Sequence, residues 1–104
     1  MLDLNDLMVE RPETTFYVRV SGDSMEGKGI FDGDILVVDR SVTAVDGSIV
    51  VAAVYGEMVI KLLKKTSSTV QLVSAQVGYT PIDIADNDEC YIWGVVTGSV
   101  RMFV

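Results

Sequence analysis

The apolar residues of this chain fall in short runs, separated by turns that contain glycine or aspartate. Within residues 15–20, β-branched and aromatic residues alternate with other types, and this period of two predicts a half-buried strand. Ile35–Asp39 and Ile49–Val54 are almost wholly apolar, so we expect two strands that are buried on nearly both faces. Further strands are expected over residues 58–63 and 69–74, and a last strand or strand pair over residues 90–103.

Glycines mark the turns between these strands. Gly33 is expected to supply the positive φ of one turn, and the Asp-Gly pair at Gly47 predicts a second. Gly56 lies in a short turn between two apolar runs, which is typical of a β-hairpin. Gly94 and Gly98 interrupt the last apolar run and favour bulges or a close approach of backbones.

Hardly any stretch has a helical period. Residues 3–9 predict a turn or two of helix, capped by Asp3 or Asn5 and ended by Pro12, and residues 25–30 predict a loop or a single helical turn. The pattern therefore indicates a mainly β fold of short, curved, mostly antiparallel strands closing on one core, with at most a short N-terminal helix. The 104 residues, 1–104, are expected to form a single domain.

Composition and charge exclude several functions. The chain is 49% apolar and 22% charged, as a folded globular domain is. Eight Lys and Arg against fifteen Asp and Glu give a net charge of −7, which repels a phosphate backbone, so we expect no direct binding of nucleic acid. No apolar run approaches the roughly 20 residues that span a bilayer, and no secretory leader opens the chain. We therefore expect no membrane partner and a cytoplasmic location.

The single cysteine and the absence of histidine limit the catalytic mechanisms and metal sites that are possible. Cys90 is the only cysteine, which excludes an intramolecular disulfide and predicts a buried structural thiol. The absence of histidine excludes Ser-His-Asp triads, Cys-His pairs and most zinc sites, so a catalytic base would have to be Lys, Asp, Glu or Tyr. The Asp-Gly-Asp run at residues 32–34 lacks the ligand spacing of a calcium loop and is interpreted as a turn. No metal or cofactor is expected.

Ser24 and Lys61 are the candidate catalytic residues. Ser24 lies in a small polar run directly after a predicted strand. Lys61 stands inside an apolar strand, where burial lowers the pKa of an amine and lets it act as a base; Lys64 and Lys65, at the polar end of that strand, are surface lysines by comparison. The pattern alone leaves other roles open, because a lysine stem can extend to water and Ser-Gly-Asp-Ser is also a common turn composition.

The order and spacing of residues 21–25 (Ser-Gly-Asp-Ser-Met), 32–34 (Asp-Gly-Asp) and Lys61 resemble the signature of the LexA-like self-cleaving peptidases, family S24. The resemblance implies that Ser24 is the nucleophile and Lys61 the general base. It also implies an oxyanion hole of backbone amides at Ser24 and its neighbours, with Met25 near the substrate cleft. Asp23 and Asp34 would shape the loops.

Longer stretches, at residues 3–7, 49–56, 79–82 and 93–96, resemble the branch of this family that acts in SOS mutagenesis. That branch implies a homodimer that serves as accessory subunit of an error-prone translesion polymerase. Its partners would be a UmuC-like catalytic subunit and the RecA filament on single-stranded DNA. Two alternatives stay open: the C-terminal self-cleavage and dimerisation domain of a LexA-like or phage repressor, and a pure dimerisation module whose dyad is vestigial.

The cleaved bond of the family is missing from this sequence. Members cut themselves at an Ala-Gly or Cys-Gly bond near the N-terminus, and neither dipeptide occurs here. We therefore expect the processed form of such a protein, without the N-terminal arm that carries the bond and without the usual cleavage in cis.

An acidic cluster and an apolar C-terminal segment are both expected to have structural roles. The acidic residues Asp83, Asp86, Asp88 and Glu89 are expected to form a solvated loop after Pro81. The apolar residues of the C-terminal segment are expected to belong to the core, and an edge strand there could also pair across a two-fold axis. These residues are Trp93, Val95, Val96, Val100, Met102 and Phe103.

Overall fold

A seven-stranded antiparallel sheet forms the body of the molecule in the computed structural model, which describes residues 3–85 and 87–103. Its strands are β1 (Thr15–Arg19), β2 (Ile35–Asp39), β3 (Ile49–Val54), β4 (Glu57–Lys65), β5 (Val70–Val73), β6 (Ile82–Asp83) and β7 (Cys90–Val100). Their order in the sheet is β1-β2-β7-β3-β4-β5-β6. Before and between the strands lie helix α1 (Leu4–Met8) and short 3-10 turns at Pro12–Thr14 and Glu26–Lys28. The predicted mainly β fold with a short N-terminal helix is confirmed.

The hairpin of β3 and β4 fixes the position of Lys61 along the sheet. Its turn residues Tyr55 and Gly56 have positive φ angles of 48° and 85°. This is the backbone of a type I′ turn, whose twist matches that of the flanking strands. The resulting register places Lys61 opposite Val50. The hairpin predicted at this glycine is confirmed.

The apolar core lies on both faces of the sheet. Because side chains alternate along a strand, Val51 of β3 packs on one face while Val50 and Ala52 pack on the other. β3 is therefore buried on both sides, as its apolar run predicts, and the sheet divides the expected single core in two. The first cluster contains Val20, Met25, Ile30, Leu36, Val38 and Val51. The second contains Val50, Ala52, Leu63, Leu72 and Val95.

β7 carries irregularities that bend the sheet. Its register shifts against β2 between Val37 and Val38, and against β3 between Val51 and Ala52. Gly94 lies at the second shift, where a Cβ atom would come 2.7 Å from Cγ1 of Val38. Only a glycine permits so close an approach. The bulges and the close approach predicted for the glycines of this segment are confirmed.

The last strand ends earlier than the sequence predicts. β7 stops at Val100, which pairs with Ile35 at the start of β2, so β2 offers no partner beyond this point. Met102 and Phe103 are 73% and 91% exposed. Their assignment to the core is therefore wrong, whereas Val95 and Trp93 do pack in it.

The acidic loop contains a strand that the sequence does not reveal. The two residues of β6 pair with β5, with Ile82 opposite Leu72. Asp83, Asp88 and Glu89 are exposed, as expected of a solvated acidic surface, and Asp86 lies outside the described residues.

The described residues contain neither a metal-binding cluster nor a membrane-spanning helix. Among residues 3–85 and 87–103, no group of three or more His, Cys, Asp or Glu is arranged to hold a metal ion. In the same ranges, no helix is both long and apolar enough to cross a membrane. The thiol of Cys90 is buried, as predicted.

A buried carboxylate ties the end of the chain to the loop after β1. Asp34 is 3% exposed, and both of its oxygens accept hydrogen bonds from Arg101 at 2.9 Å. The amide of Phe31 donates to the same carboxylate. The hydrogen bond from Arg101, and then that from Phe31, lower the pKa of Asp34 to about 2. Gly33, with a φ of 88°, makes the predicted turn beside it.

We expect acid to weaken the fold through two carboxylates. The pKa of Asp39 is also lowered to about 2, by hydrogen bonds from Ser41 and Thr14. A carboxyl whose pKa is depressed in the folded state stabilises the fold fully above its unfolded pKa of about 3.9, and this contribution is lost as the pH falls toward about 2. Urea unfolding at a series of pH values should show stability falling between about pH 4 and about pH 2.

The variant Asp34→Asn should be less stable than the wild type at neutral pH and should lose less stability on acidification, because one of the two titrating groups is gone. Asp88→Asn, at an exposed position, is the matched control. Parallel stability curves for the wild type and Asp34→Asn across the acid range would contradict this account.

Candidate active site

The loop after β1 presents Ser24 from a backbone that is anchored on both sides. Gly22 has a φ of 94°, and its amide donates to the carboxylate of Asp32 at 2.9 Å. Met25, directly after Ser24, is 2% exposed and packs in the first core cluster. Burial of the methionine fixes the peptide that follows the serine, and Ser24 itself is left half-buried.

Lys61 lies at the buried centre of β4. Its side chain belongs to a residue that is only 9% exposed, whereas Lys64 and Lys65 on the same strand are exposed. The difference that the sequence predicts between these lysines is therefore present. Burial strips water from the ammonium form, which lowers the pKa of Lys61 below its usual value of 10.5. A larger fraction of its amine is then available as a base near neutral pH.

Ser24 and Lys61 line the same cavity, which has a volume of about 390 Å³. Asp23 and Met25 line it too, so four of the residues singled out from the sequence meet there. Asp34 does not line it and instead holds the loop behind through Arg101. The rest of the wall is largely apolar and includes Val18, Val20, Val51, Met58, Val59 and Ile60.

The hydrogen bonds of the two candidate residues differ. Nζ of Lys61 donates to Oγ of Ser74 at 2.7 Å. Within residues 3–85 and 87–103, Oγ of Ser24 has no hydrogen bond to another protein group. The hydroxyl of Ser24 is therefore free to meet a substrate, and catalytic hydrogen bonds commonly tighten only when a substrate is bound.

Backbone amides beside Ser24 are also free. In the described part of the chain, the amides of Ser24 and Met25 donate to no protein acceptor, whereas the next amide, that of Glu26, donates to the carbonyl of Asp23. Two unpaired N–H groups next to a serine hydroxyl can stabilise the negative charge that develops on an attacked carbonyl oxygen. The oxyanion hole implied by the sequence resemblance remains a prediction that this arrangement supports.

Ser74 and Tyr79 contact Lys61 as well, although no local sequence pattern predicted these contacts. The hydroxyl of Tyr79 donates to Asp23, and its ring centroid lies 4.9 Å from Nζ of Lys61. The hydrogen bond to Asp23 is the main cause that raises the pKa of Tyr79, and burial adds to it. Both residues reach the site from the segment after β5, so only tertiary contacts could have identified them.

A short seam of backbone hydrogen bonds joins this segment to the serine loop. The amide of Ala75 donates to the carbonyl of Ser24, and the amide of Gly27 donates to the carbonyl of Ala75, both at 2.8 Å. A Cβ atom on Gly27 would lie 2.0 Å from that carbonyl oxygen. Since two non-bonded heavy atoms do not approach so closely, the seam requires glycine at this position.

A serine hydroxyl, an amine of lowered pKa and free backbone amides around one cavity are the parts of a serine hydrolase whose base is not histidine. The chain belongs to the family of S24-like peptidases, whose pattern it matches over residues 1–97. The LexA-like family resemblance noted in the sequence, and with it the class of serine peptidase, is confirmed.

Individual relatives fall in two groups. The chain is 45% identical over 100 residues to the protein MucA of Salmonella typhimurium and of Escherichia coli, an alignment that covers 95% of this chain and 68% of MucA. It is 38% identical over 98 residues to LexA repressor 2 of Pseudomonas putida, covering 94% of this chain and 48% of the repressor. It therefore spans about half the length of the LexA repressor.

Gly27→Ala should weaken the seam. Overpacking of this kind typically costs about 1–3 kcal/mol, because the Ala75 segment must move away from the serine loop. The loss should appear as a lower urea midpoint with an unchanged slope.

The matched control is Gly98→Ala, where the added Cβ atom would meet only the flexible end of Met8, at 2.9 Å. That change should cost less than about 1 kcal/mol, since alanine is itself preferred over glycine within a strand. Equal losses in the two variants would show that the contact with Ala75 does not constrain the loop.

Proposed function

We propose that Ser24 and Lys61 form the catalytic dyad of this serine peptidase. The observation that carries the proposal is that a nearly buried lysine and a serine without a protein hydrogen-bond partner in the described ranges line one apolar-walled cavity. The lowered pKa of Lys61 supports the role of general base. Asp23 shapes the cavity through its bond with Tyr79.

The reaction then follows the usual course of acyl transfer. Oγ of Ser24 bonds to the carbonyl carbon of the scissile peptide while its proton passes to Nζ of Lys61. The amides of Ser24 and Met25 donate to the oxyanion. The ammonium of Lys61 next protonates the leaving amine as the C–N bond breaks. Water then bonds to the acyl carbon while its proton passes to Nζ of Lys61, the C–Oγ bond breaks, and Nζ of Lys61 returns the proton to Oγ of Ser24.

In the cell, the protein acts as a UmuD-like protein of SOS mutagenesis. Its processed form is a homodimer that serves an error-prone translesion polymerase as accessory subunit, with a UmuC-like catalytic subunit and the RecA filament on single-stranded DNA as partners. The likeness to MucA over most of both chains and the family membership support this role. The net charge of −7 supports contact with proteins in preference to DNA. The proposed location of these contacts is the cytoplasm.

A second candidate is the self-cleavage and dimerisation domain of a repressor. The observation in its favour is the 38% identity to LexA repressor 2, of which this chain matches about half. The sequence encoded upstream of Met1 separates the two: a helix-turn-helix domain there would favour the repressor, since a body this acidic needs a separate unit to bind an operator.

Replacing either member of the dyad should abolish peptidase activity. A synthetic peptide with an Ala-Gly bond between apolar residues, supplied in trans, should be cleaved by the wild type. Ser24→Ala and Lys61→Met should each lower the rate by about 10²–10⁴-fold, because both the nucleophile and its base are required. Lys64→Met, at the exposed end of the same strand, is the control and should cleave normally.

The rate of cleavage should rise with pH. Only the neutral amine of Lys61 accepts the serine proton, and burial lowers its pKa, so the midpoint of this rise should lie below the usual lysine pKa of 10.5. Undiminished cleavage by Ser24→Ala or Lys61→Met would exclude the dyad. A folded wild type without activity at any pH would favour the alternative of a dimerisation module with a vestigial site.

A further inference from the structure

The amine of Lys61 has a single hydrogen-bond partner in the described part of the chain, the hydroxyl of Ser74 at 2.7 Å. Ser74 is half-buried and directly follows β5, whose last residue, Val73, pairs with Leu62 of β4. The hydroxyl thus lies at the end of the strand next to that of the lysine. Its position relative to Lys61 is set by the sheet itself and not by a free loop.

Ser74 also stands beside the seam to the nucleophile loop. The neighbouring residue, Ala75, exchanges backbone hydrogen bonds with Ser24 and Gly27. One short segment, residues 73–75, therefore pairs with the strand of Lys61 at one end and holds the loop of Ser24 at the other. A displacement of this segment would change the position of both groups of the dyad together.

A hydrogen-bond partner such as Ser74 can orient the lone pair of a lysine amine that acts as a base. The neutral amine has two N–H groups and one lone pair, and its long side chain rotates freely unless something holds it. An N–H group bound to Oγ of Ser74 leaves the lone pair for a proton from the cavity. The ring of Tyr79, 4.9 Å from Nζ, attracts the ammonium form but gives the neutral amine no such direction.

We infer that Ser74 is a positioning residue of the peptidase: its hydroxyl oxygen accepts an N–H bond from the neutral amine of Lys61 and orients the lone pair toward Ser24. The inference rests on the proposed dyad. Ser74 touches neither the substrate nor the bond that breaks, and it acts through Lys61 alone.

The test uses a matched pair of variants, Ser74→Thr and Ser74→Val, which have nearly the same shape and differ in the hydroxyl. The probe is a fluorophosphonate, which labels Ser24 of the 104-residue chain. Oγ of Ser24 bonds to phosphorus, the P–F bond breaks and fluoride leaves, while the serine proton passes to Lys61 and then to solvent. The labelling rate is measured from neutral pH up to the plateau where Lys61 is fully neutral.

The inference predicts a lower plateau rate in Ser74→Val, by about 10–100-fold, because small errors of placement have effects of this size. Ser74→Thr should keep most of the rate. Ser67→Val, at an exposed serine in the turn after β4, is the control and should be unchanged. If Ser74→Val loses no plateau rate, or shifts only the midpoint of the pH profile, Ser74 does not position the amine and the inference is overturned.

A second readout does not depend on activity. The Nζ–H groups of Lys61 should be protected from exchange with solvent in NMR spectra of the wild type and Ser74→Thr, and exposed to exchange in Ser74→Val. Equal exchange in all three proteins would also overturn the inference. If Ser74→Val does not fold, Ser74→Ala takes its place in both measurements.

The outcomes separate this inference from the proposed dyad. If Lys61→Met is labelled as fast as the wild type, the dyad itself is wrong. If Lys61→Met is unreactive while Ser74→Val keeps the full plateau rate, the dyad stands and only the role of Ser74 fails.

Discussion

The burial of an amine in an apolar strand is the constraint on which the rest of this site depends. Removing water from Lys61 disfavours its charge, and the fold offers it one hydroxyl and one aromatic ring in the described part of the chain. Burial costs free energy because the ammonium loses its hydration, and the same loss lowers the pKa of the amine and favours its action as a base. An exposed lysine such as Lys64 loses little hydration on folding, and its amine is therefore not available as a base near neutral pH.

The serine is placed by different means. Its loop has no regular structure before the 3-10 turn at Glu26–Lys28, so its shape comes from contacts at its ends. Asp34, paired with Arg101, holds the far side, Met25 is inserted into the core, and Ala75 binds the near side. The loop is thus held by tertiary contacts and not by regular structure of its own.

Local sequence patterns predicted the features that depend on neighbouring residues, namely most strands, one hairpin and the burial of Lys61. Apolar runs and, for β1, the period of two located most strands, the glycine at Gly56 located the hairpin, and the neighbours of Lys61 predicted its burial. The strand ends were less predictable, because β7 stops where its partner β2 begins, and Met102 and Phe103 are left outside.

The remaining parts of the site depend on contacts between segments distant in the chain. Ser74 reaches Lys61 only because β5 pairs with β4, and Tyr79 reaches Asp23 only because the segment after β5 returns to the serine loop. No single stretch of sequence contains these contacts. The roles of Ser24 and Lys61 stay predictions, since the fold brings the two residues to one cavity without showing them at work.

The seam between Ala75 and the serine loop also has a consequence for the newly synthesised chain. The lysine strand belongs to a tight hairpin, a local structure that can form early, whereas the serine loop needs partners from much later in the sequence. We therefore expect the proposed nucleophile and base to come together only after the segment that follows β5 has reached the serine loop. On the proposed dyad, a chain in which the segment around Ala75 has not yet docked is expected to lack peptidase activity.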